Sequence, residues 1–184
     1  MSVTRVLVMV GMLSAAAFVL MATVQLPVLP SAPYLRYDPS DVVALLVALE
    51  VGPGPAVAVV ALKDLLYLMF RARSPFGPAA NFIAVATFVG VAGWVYARRD
   101  RRSAGWAAAA CAAGALARVL VMIPANFVIL YLQFGMPPAR VAALLGPVIV
   151  PFNVLAAGIN TALTLGVWLA LRRRGLAVVR PGGS

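Results

Sequence analysis

The sequence predicts an all-α membrane protein, a bundle of six transmembrane helices with both termini in the cytoplasm, and three observations carry that expectation. Of the 184 residues, 64% are hydrophobic and 11% charged, more apolar surface than a soluble domain of this size can bury in one core. The apolar residues fall in runs separated by Pro, Gly and Arg clusters, and since a crossing needs about 20 mainly apolar residues, the chain has room for about six crossings with short loops. The arginines are asymmetric. With six crossings, Arg5, Arg98, Arg99, Arg101, Arg102, Arg172, Arg173, Arg174 and Arg180 share one side, and Arg36, Arg71, Arg73 and Arg140 the other. Cytoplasmic loops accumulate Lys and Arg, so the richer side is cytoplasmic.

The whole chain, 1–184, reads as one integral-membrane domain, with spans expected at 5–25, 40–51, 54–71, 78–97, 104–134 and 141–171. The first follows Arg5 as an almost unbroken run of Val, Leu, Met and Ala. It exceeds the 7–15 apolar residues of a signal peptide and more spans follow it, so it is read as a crossing. Residues 26–39 hold Pro27, Pro30, Pro33 and Pro39, which remove donors and fix φ, so this stretch is an outer loop of a length that usually carries function. The second span starts at Pro39-Ser40-Asp41 and stops at Gly52-Pro53. It is too short to cross a bilayer unless the bilayer is thin there or the helix is buried. The third contains Lys63 and Asp64, the fifth Arg118 and Pro124, and the sixth Pro147 and Pro151. Without an internal repeat, an inverted-repeat transporter is not supported.

Composition excludes several chemistries. The chain has no His and a single Cys, Cys111, so a His-based triad, a His-ligated metal site, a Cys₄ cluster and an intrachain disulfide are all removed, and no metal is expected. The net charge of +10 would suggest nucleic acid in a soluble protein, but the bilayer accounts for it, and no nucleic-acid partner is expected. No Gly-x-x-x-x-Gly-Lys-Ser/Thr loop occurs, so ATP is not bound through a P-loop. A small intramembrane enzyme would need clustered acids or His. Of the five acids, only Asp38 and Asp41 lie close in sequence, and they look suited to fixing the loop and capping the second helix.

Polar residues inside a membrane are expensive and are usually functional or paired. Lys63 lies about 10 Å of helix below Arg71 and lines a cavity, snorkels outward or is held in a structural pair. Arg118 needs a counter-charge, for which Asp64 or Glu50 is available. The amides are more suggestive. Asn81 opens the fourth helix, while Asn126 and Asn153 each follow a proline by two residues, and all three fall on the outer side. Side-chain amides offer donors and acceptors without charge, which suits a neutral ligand with amide-like groups, although each alone would serve as interhelical glue. Tyr131, Tyr34, Tyr37 and Tyr67 lie near span ends, as an aromatic belt requires. Gly11 and Ala15 form a small-xxx-small pair that lets another helix approach.

Tyr34-Leu35-Arg36-Tyr37-Asp38-Pro39-Ser40-Asp41-Val42-Val43-Ala44-Leu45-Leu46 followed by Gly52-Pro53 resembles the S components, the substrate-binding membrane subunits, of energy-coupling factor (ECF) transporters, particularly the riboflavin type. The resemblance continues in order through Leu62-Lys63-Asp64-Leu65-Leu66, Ala80-Asn81-Phe82, Arg118 with Asn126-Phe127-Val128-Ile129, and Pro151-Phe152-Asn153 with Gly158 and Asn160. It implies a vitamin pocket open to the outside and covered by the loop after helix one, including Tyr34, Leu35, Arg36, Tyr37 and Asp38. The implied contacts to substrate are Asn81, Asn126, Asn153, Lys63, Arg118 and Tyr131. It further implies docking through Gly11 and Ala15 onto a transmembrane coupling subunit carried on two ABC-type ATPases. ATP would then be used only by those partners, and riboflavin would be a transported ligand rather than a covalent cofactor.

Two departures bear on the ligand. Where riboflavin-type members carry Lys after Pro-Phe-Asn, this chain has Ala156, and where they carry Glu before Leu-Ala-Asn it has Pro78. Loss of one cation and one anion is either a compensated pair or a changed ligand. The favoured ligand is riboflavin, whose uncharged planar ring has an apolar edge and an amide-like edge. Another vitamin or small metabolite is the alternative.

Overall fold

The computed structural model describes residues 2–32, 35–99 and 103–175. Among these, six helices form one bundle: α1 (Val3–Thr23), α2 (Ser40–Glu50), α3 (Pro53–Phe70), α4 (Phe76–Tyr96), α5 (Ala104–Phe134) and α6 (Pro138–Arg173). A two-residue antiparallel ribbon in the loop after α1 pairs β1 (Leu26–Pro27) with β2 (Arg36–Tyr37), Leu26 opposite Tyr37. Local chemistry sets the ends. Ser2 and Ser103 accept hydrogen bonds from the backbone N–H of Arg5 and Trp106 and so cap α1 and α5. Pro53 and Pro138 open α3 and α6, where a missing N–H is harmless. Gly52, at φ 137°, turns the chain from α2 into α3 in a conformation that L side chains rarely adopt.

Polarity runs inside out. Leu7, Val8 and Met12 on α1 and Leu116, Leu120 and Val128 on α5 are exposed, while Asp41, Lys63, Asp64, Arg118, Asn153 and Asn160 are buried. That pattern suits a lipid solvent, and five of the helices are long and apolar enough to cross a membrane. The exception is α2. Its 11 residues rise only about 16 Å at 1.5 Å per residue, half of a hydrocarbon core of about 30 Å. It is instead enclosed, with eight of its residues buried, among them Asp41, Ala44, Leu45, Ala48 and Glu50, against α1, α3, α4 and α6.

Helix α6 begins at Pro138, before the expected 141. It contains a π-helical turn at Leu145–Ile149, where the N–H of Val150 reaches Leu145 O. Pro147 and Pro151 have no N–H to give, so the regular ladder breaks there, and a widened turn of this kind is frequent beside functional sites. At the opposite end, Glu50 accepts from Arg172 at 3.5 Å, Arg172 stacks over Trp168 at 4.1 Å, and Trp168 meets Tyr96 edge-on. The last turns of α2, α4 and α6 therefore meet at the end where Arg98, Arg99, Arg172 and Arg173 gather. At the other end Gln25 donates to the Tyr67 hydroxyl at 2.8 Å, and Arg71 to Ala22 O.

Packing is closest between α4 and α5. A methyl group on Gly114 would lie 2.5 Å from the Phe88 carbonyl oxygen and 2.8 Å from its ring. Gly114→Ala is accordingly expected to destabilise the bundle by about 1–3 kcal/mol, as overpacked cores do. Gly158→Ala, with nothing within 4 Å of the new methyl, should be neutral or better. Thermal unfolding of the two variants in the same detergent compares them.

Candidate functional site

A cavity of about 320 Å³ opens at the end of the bundle remote from Arg172, between the loop after α1 and helices α1, α3, α4, α5 and α6. Its polar wall includes Gln25, Tyr67, Asn81, Arg118, Asn126 and Asn153, and its apolar wall Met21, Leu35, Ala84, Met122, Ile149 and Phe152. Leu35, Arg36, Tyr37 and Asp38 of the loop also line it, so the stretch expected to cover a pocket does border one. Tyr34 lies outside the described residues. Pro78 and Ala156, the two departures noted in the sequence, are both in the cavity wall.

Beneath the cavity lies a charged knot centred on Asp41. One carboxylate oxygen accepts from Lys63 Nζ at 2.7 Å; the other accepts from Arg118 at 3.4 Å and from Asn160 Nδ2 at 3.1 Å. Lys63 also donates to Ser40 Oγ at 2.9 Å, and Ser40 donates through both its backbone N–H and its hydroxyl to Asp38. Asp38 thus fixes the loop onto the start of α2. Tyr37, on β2, donates to Asn160 Oδ1 at 2.8 Å, which ties the loop to the same knot. Burial pushes the Tyr37 hydroxyl up to about 12, with the Asp41 and Asp38 carboxylates acting in the same direction, so it remains a neutral donor. Burial likewise raises the Asp38 carboxyl above the usual carboxylate range, and Asp41 adds to the rise.

Several sequence expectations change here. The counter-charge of Arg118 is Asp41, not Asp64 or Glu50, because Glu50 sits nine residues along α2, about 13 Å away at 1.5 Å per residue, and bonds Arg172. Asp41 does not cap α2; it points inward to two cations. Lys63 neither snorkels nor lines the cavity: it is wholly buried on Asp41 and Ser40. Its neighbour Asp64 turns to α4 and accepts from Asn81 Nδ2 at 2.9 Å. Tyr131 is 61% exposed and away from the cavity, since five residues beyond Asn126 is about 140° around a helix of 3.6 residues per turn. Asn81, Asn126, Asn153 and Arg118 do converge. Asn153 is held on both sides, accepting from Arg118 Nε at 3.2 Å and donating to Ile149 O at 2.9 Å. Asn126 donates to Met122 O at 2.7 Å.

Residues 5–168 match the family described as ECF transporter, substrate-specific component. The chain belongs to that family. It is therefore a multi-pass plasma-membrane protein and a transport component. The riboflavin transporter RibU of Staphylococcus aureus (strain TCH60) is 35% identical over 156 residues, 81% of this chain and 80% of that one. The riboflavin transporter FmnP of Bacillus subtilis (strain 168) is 32% identical over 179 residues, 90% and 91% of the two chains. Among solved structures, one reported as the structure and mechanism of the S component of a bacterial ECF transporter superposes with a TM-score of 0.80 at 30% identity, covering 94% of this chain and 98% of that one.

Sequence reading missed Gln25, Tyr67 and Phe152 in the wall and Asp41 as the centre of the knot. Asp41 had a signal, since it opens a short helix that had to be buried. Asp41→Asn strands Lys63 and Arg118 without a full counter-charge and is expected to cost about 3–5 kcal/mol, as broken buried pairs do. Lys63→Met leaves Asp41 with Arg118 and should cost clearly less. Detergent unfolding curves of both variants decide the order.

Proposed function

We propose that this chain is the high-affinity riboflavin-binding subunit of an ECF-type uptake transporter. The observation that carries the reading is the cavity: its two buried helix charges, Asp41 and Arg118, are paired with each other, the loop adds Arg36 and Asp38, and amide groups are set among apolar and aromatic walls. Its volume falls within the range of small-molecule sites. Riboflavin fits that chemistry, with an uncharged ring that is apolar at one edge and imide-like at the other, and a polyol chain. The names of the relatives from Staphylococcus aureus and Bacillus subtilis support the same ligand.

Asn81, Asn126 and Asn153 would take the polar edges of the ligand, and Arg118 would add a donor, since its guanidinium has five N–H groups and its named bonds use only Nε and one Nη. The loop of Leu35, Arg36, Tyr37 and Asp38 would close over it. Pro78 and Ala156, neutral where a carboxylate and an ammonium are expected, make a drier wall at those two points. A transmembrane coupling subunit and two ABC-type ATPases would complete the transporter and supply the ATP hydrolysis, because this chain carries no P-loop sequence. Gly11 and Ala15, exposed one turn apart on α1, would be where the coupling subunit docks, their small size allowing close helix approach.

Titration of the purified, detergent-solubilised chain with riboflavin is expected to quench flavin fluorescence saturably at one ligand per protein. Folded protein that leaves the emission unchanged would sink the flavin reading, and a panel of other vitamins would then identify the ligand. Gly11→Leu together with Ala15→Leu should leave that titration as it is while abolishing co-purification with a co-expressed coupling subunit.

A further inference from the structure

Asp64 is a buried acid that the ligand reading does not use. It is 4% exposed, does not line the cavity, and among the described residues its side chain has one hydrogen bond, from Asn81 Nδ2 to its Oδ1 at 2.9 Å. Lys63 Nζ is 4.0 Å away but hydrogen-bonds Asp41 and Ser40 instead. The second carboxylate oxygen is buried without a partner. Burying a carboxylate for a single hydrogen bond is expensive, so what that bond does to Asn81 is the point of interest.

A primary amide has one accepting edge and one donating edge, whereas a carboxylate oxygen only accepts. Asp64 therefore fixes which way round Asn81 sits: the NH₂ must face Asp64, which leaves Oδ1 for the cavity that Asn81 lines. Asn126 is turned the same way by another means, its Nδ2 being given to Met122 O. We infer that Asp64 is a specificity-determining positioning residue: by locking the Asn81 amide it makes the α4 wall a hydrogen-bond acceptor, selecting ligands that present an N–H or O–H there. Sites built to bond a donor reject analogues lacking it far more strongly than apolar pockets reject a changed shape. The inference rests on the proposed riboflavin reading only for its probes, whose imide N–H and ribityl hydroxyls are the candidate donors.

The test compares riboflavin with 3-methylriboflavin, which lacks the imide N–H, and lumiflavin, which lacks the ribityl hydroxyls, by fluorescence titration. The unsubstituted protein should penalise one of the two probes. Asp64→Ala, confirmed folded by its unfolding curve, frees the Asn81 amide to rotate. Riboflavin binding should then weaken by about tenfold, the factor for a hydrogen bond of ordinary strength, while binding of the penalised probe changes less than about threefold. Asp64→Asn, isosteric and able to present either edge, should give a smaller loss in the same direction. Asn81→Asp alone opposes two carboxylates and should bind poorly. Asn81→Asp combined with Asp64→Asn reverses the donor while keeping an acceptor toward the cavity, and should recover most of what the single change loses. Equal losses for all three flavins in Asp64→Ala, no loss for any, or failure of the exchange to rescue would each overturn the inference. If the unsubstituted protein binds no flavin, the ligand reading fails by itself. The positioning role is then read from the ¹⁵N-labelled Asn81 side-chain amide, whose protons should exchange slowly in the unsubstituted protein and fast in Asp64→Ala; equal exchange would overturn it.

Discussion

The rest of the structure depends on the carboxylate of Asp41. It is the only acid placed to neutralise two cations at once among the described residues, and it does so at the first turn of a helix too short to reach water at both ends. Lys63 and Arg118 are wholly or nearly buried, and beyond Asp41 Lys63 has only the more distant Asp64 at 4.0 Å among the described residues. Ions in such an environment persist only when paired and hydrogen-bonded. The pairing in turn fixes the relative positions of α2, α3 and α5, and through Asn160 that of α6. Asp41 also lines the cavity, and through Arg118, which donates to Asn153, it bears on a second residue of the wall.

That arrangement separates two tasks that a shorter list of polar residues would confuse. Asp41, Lys63 and Asn160 hold the bundle together and secure the loop through Tyr37; the amides of Asn81, Asn126 and Asn153 face the space above them. Arg118 belongs to both sets. This division would suit a neutral ligand, since the charges of Asp41, Lys63 and Arg118 are satisfied within the scaffold.

Much of this was legible in the sequence for identifiable reasons. Hydropathy and the Pro and Gly punctuation located the helices, and the brevity of the stretch after Pro39 left α2 either enclosed or in a thinned bilayer, of which the structure shows the first. The amides stood out because polar residues beside prolines are conspicuous in apolar helices. What could not be read was rotation and partnership between helices. Lys63 and Asp64 are adjacent in sequence yet serve α2 and α4 respectively, and nothing local to α3 says which faces which. Asp41 looked like a cap because first-turn acids usually are, and its inward direction depends on two residues 22 and 77 positions away. Tyr131, 61% exposed, fits its belt role rather than the contact the resemblance implied, because its angle around α5 turns it away from the cavity.

The close approach of α4 and α5 at Gly114 bears on how quickly a ligand is exchanged. Two helices whose backbones leave no room for a methyl group move as one body, and they carry Asn81, Arg118 and Asn126 between them. That side of the cavity is closely packed at Gly114. The opposite side is a loop secured by a two-residue ribbon and the Tyr37 hydroxyl, whose release breaks few bonds. Were a ligand to enter and leave through the loop, its residence time would be governed by how often those few bonds break together, and its selectivity by the closely packed wall opposite.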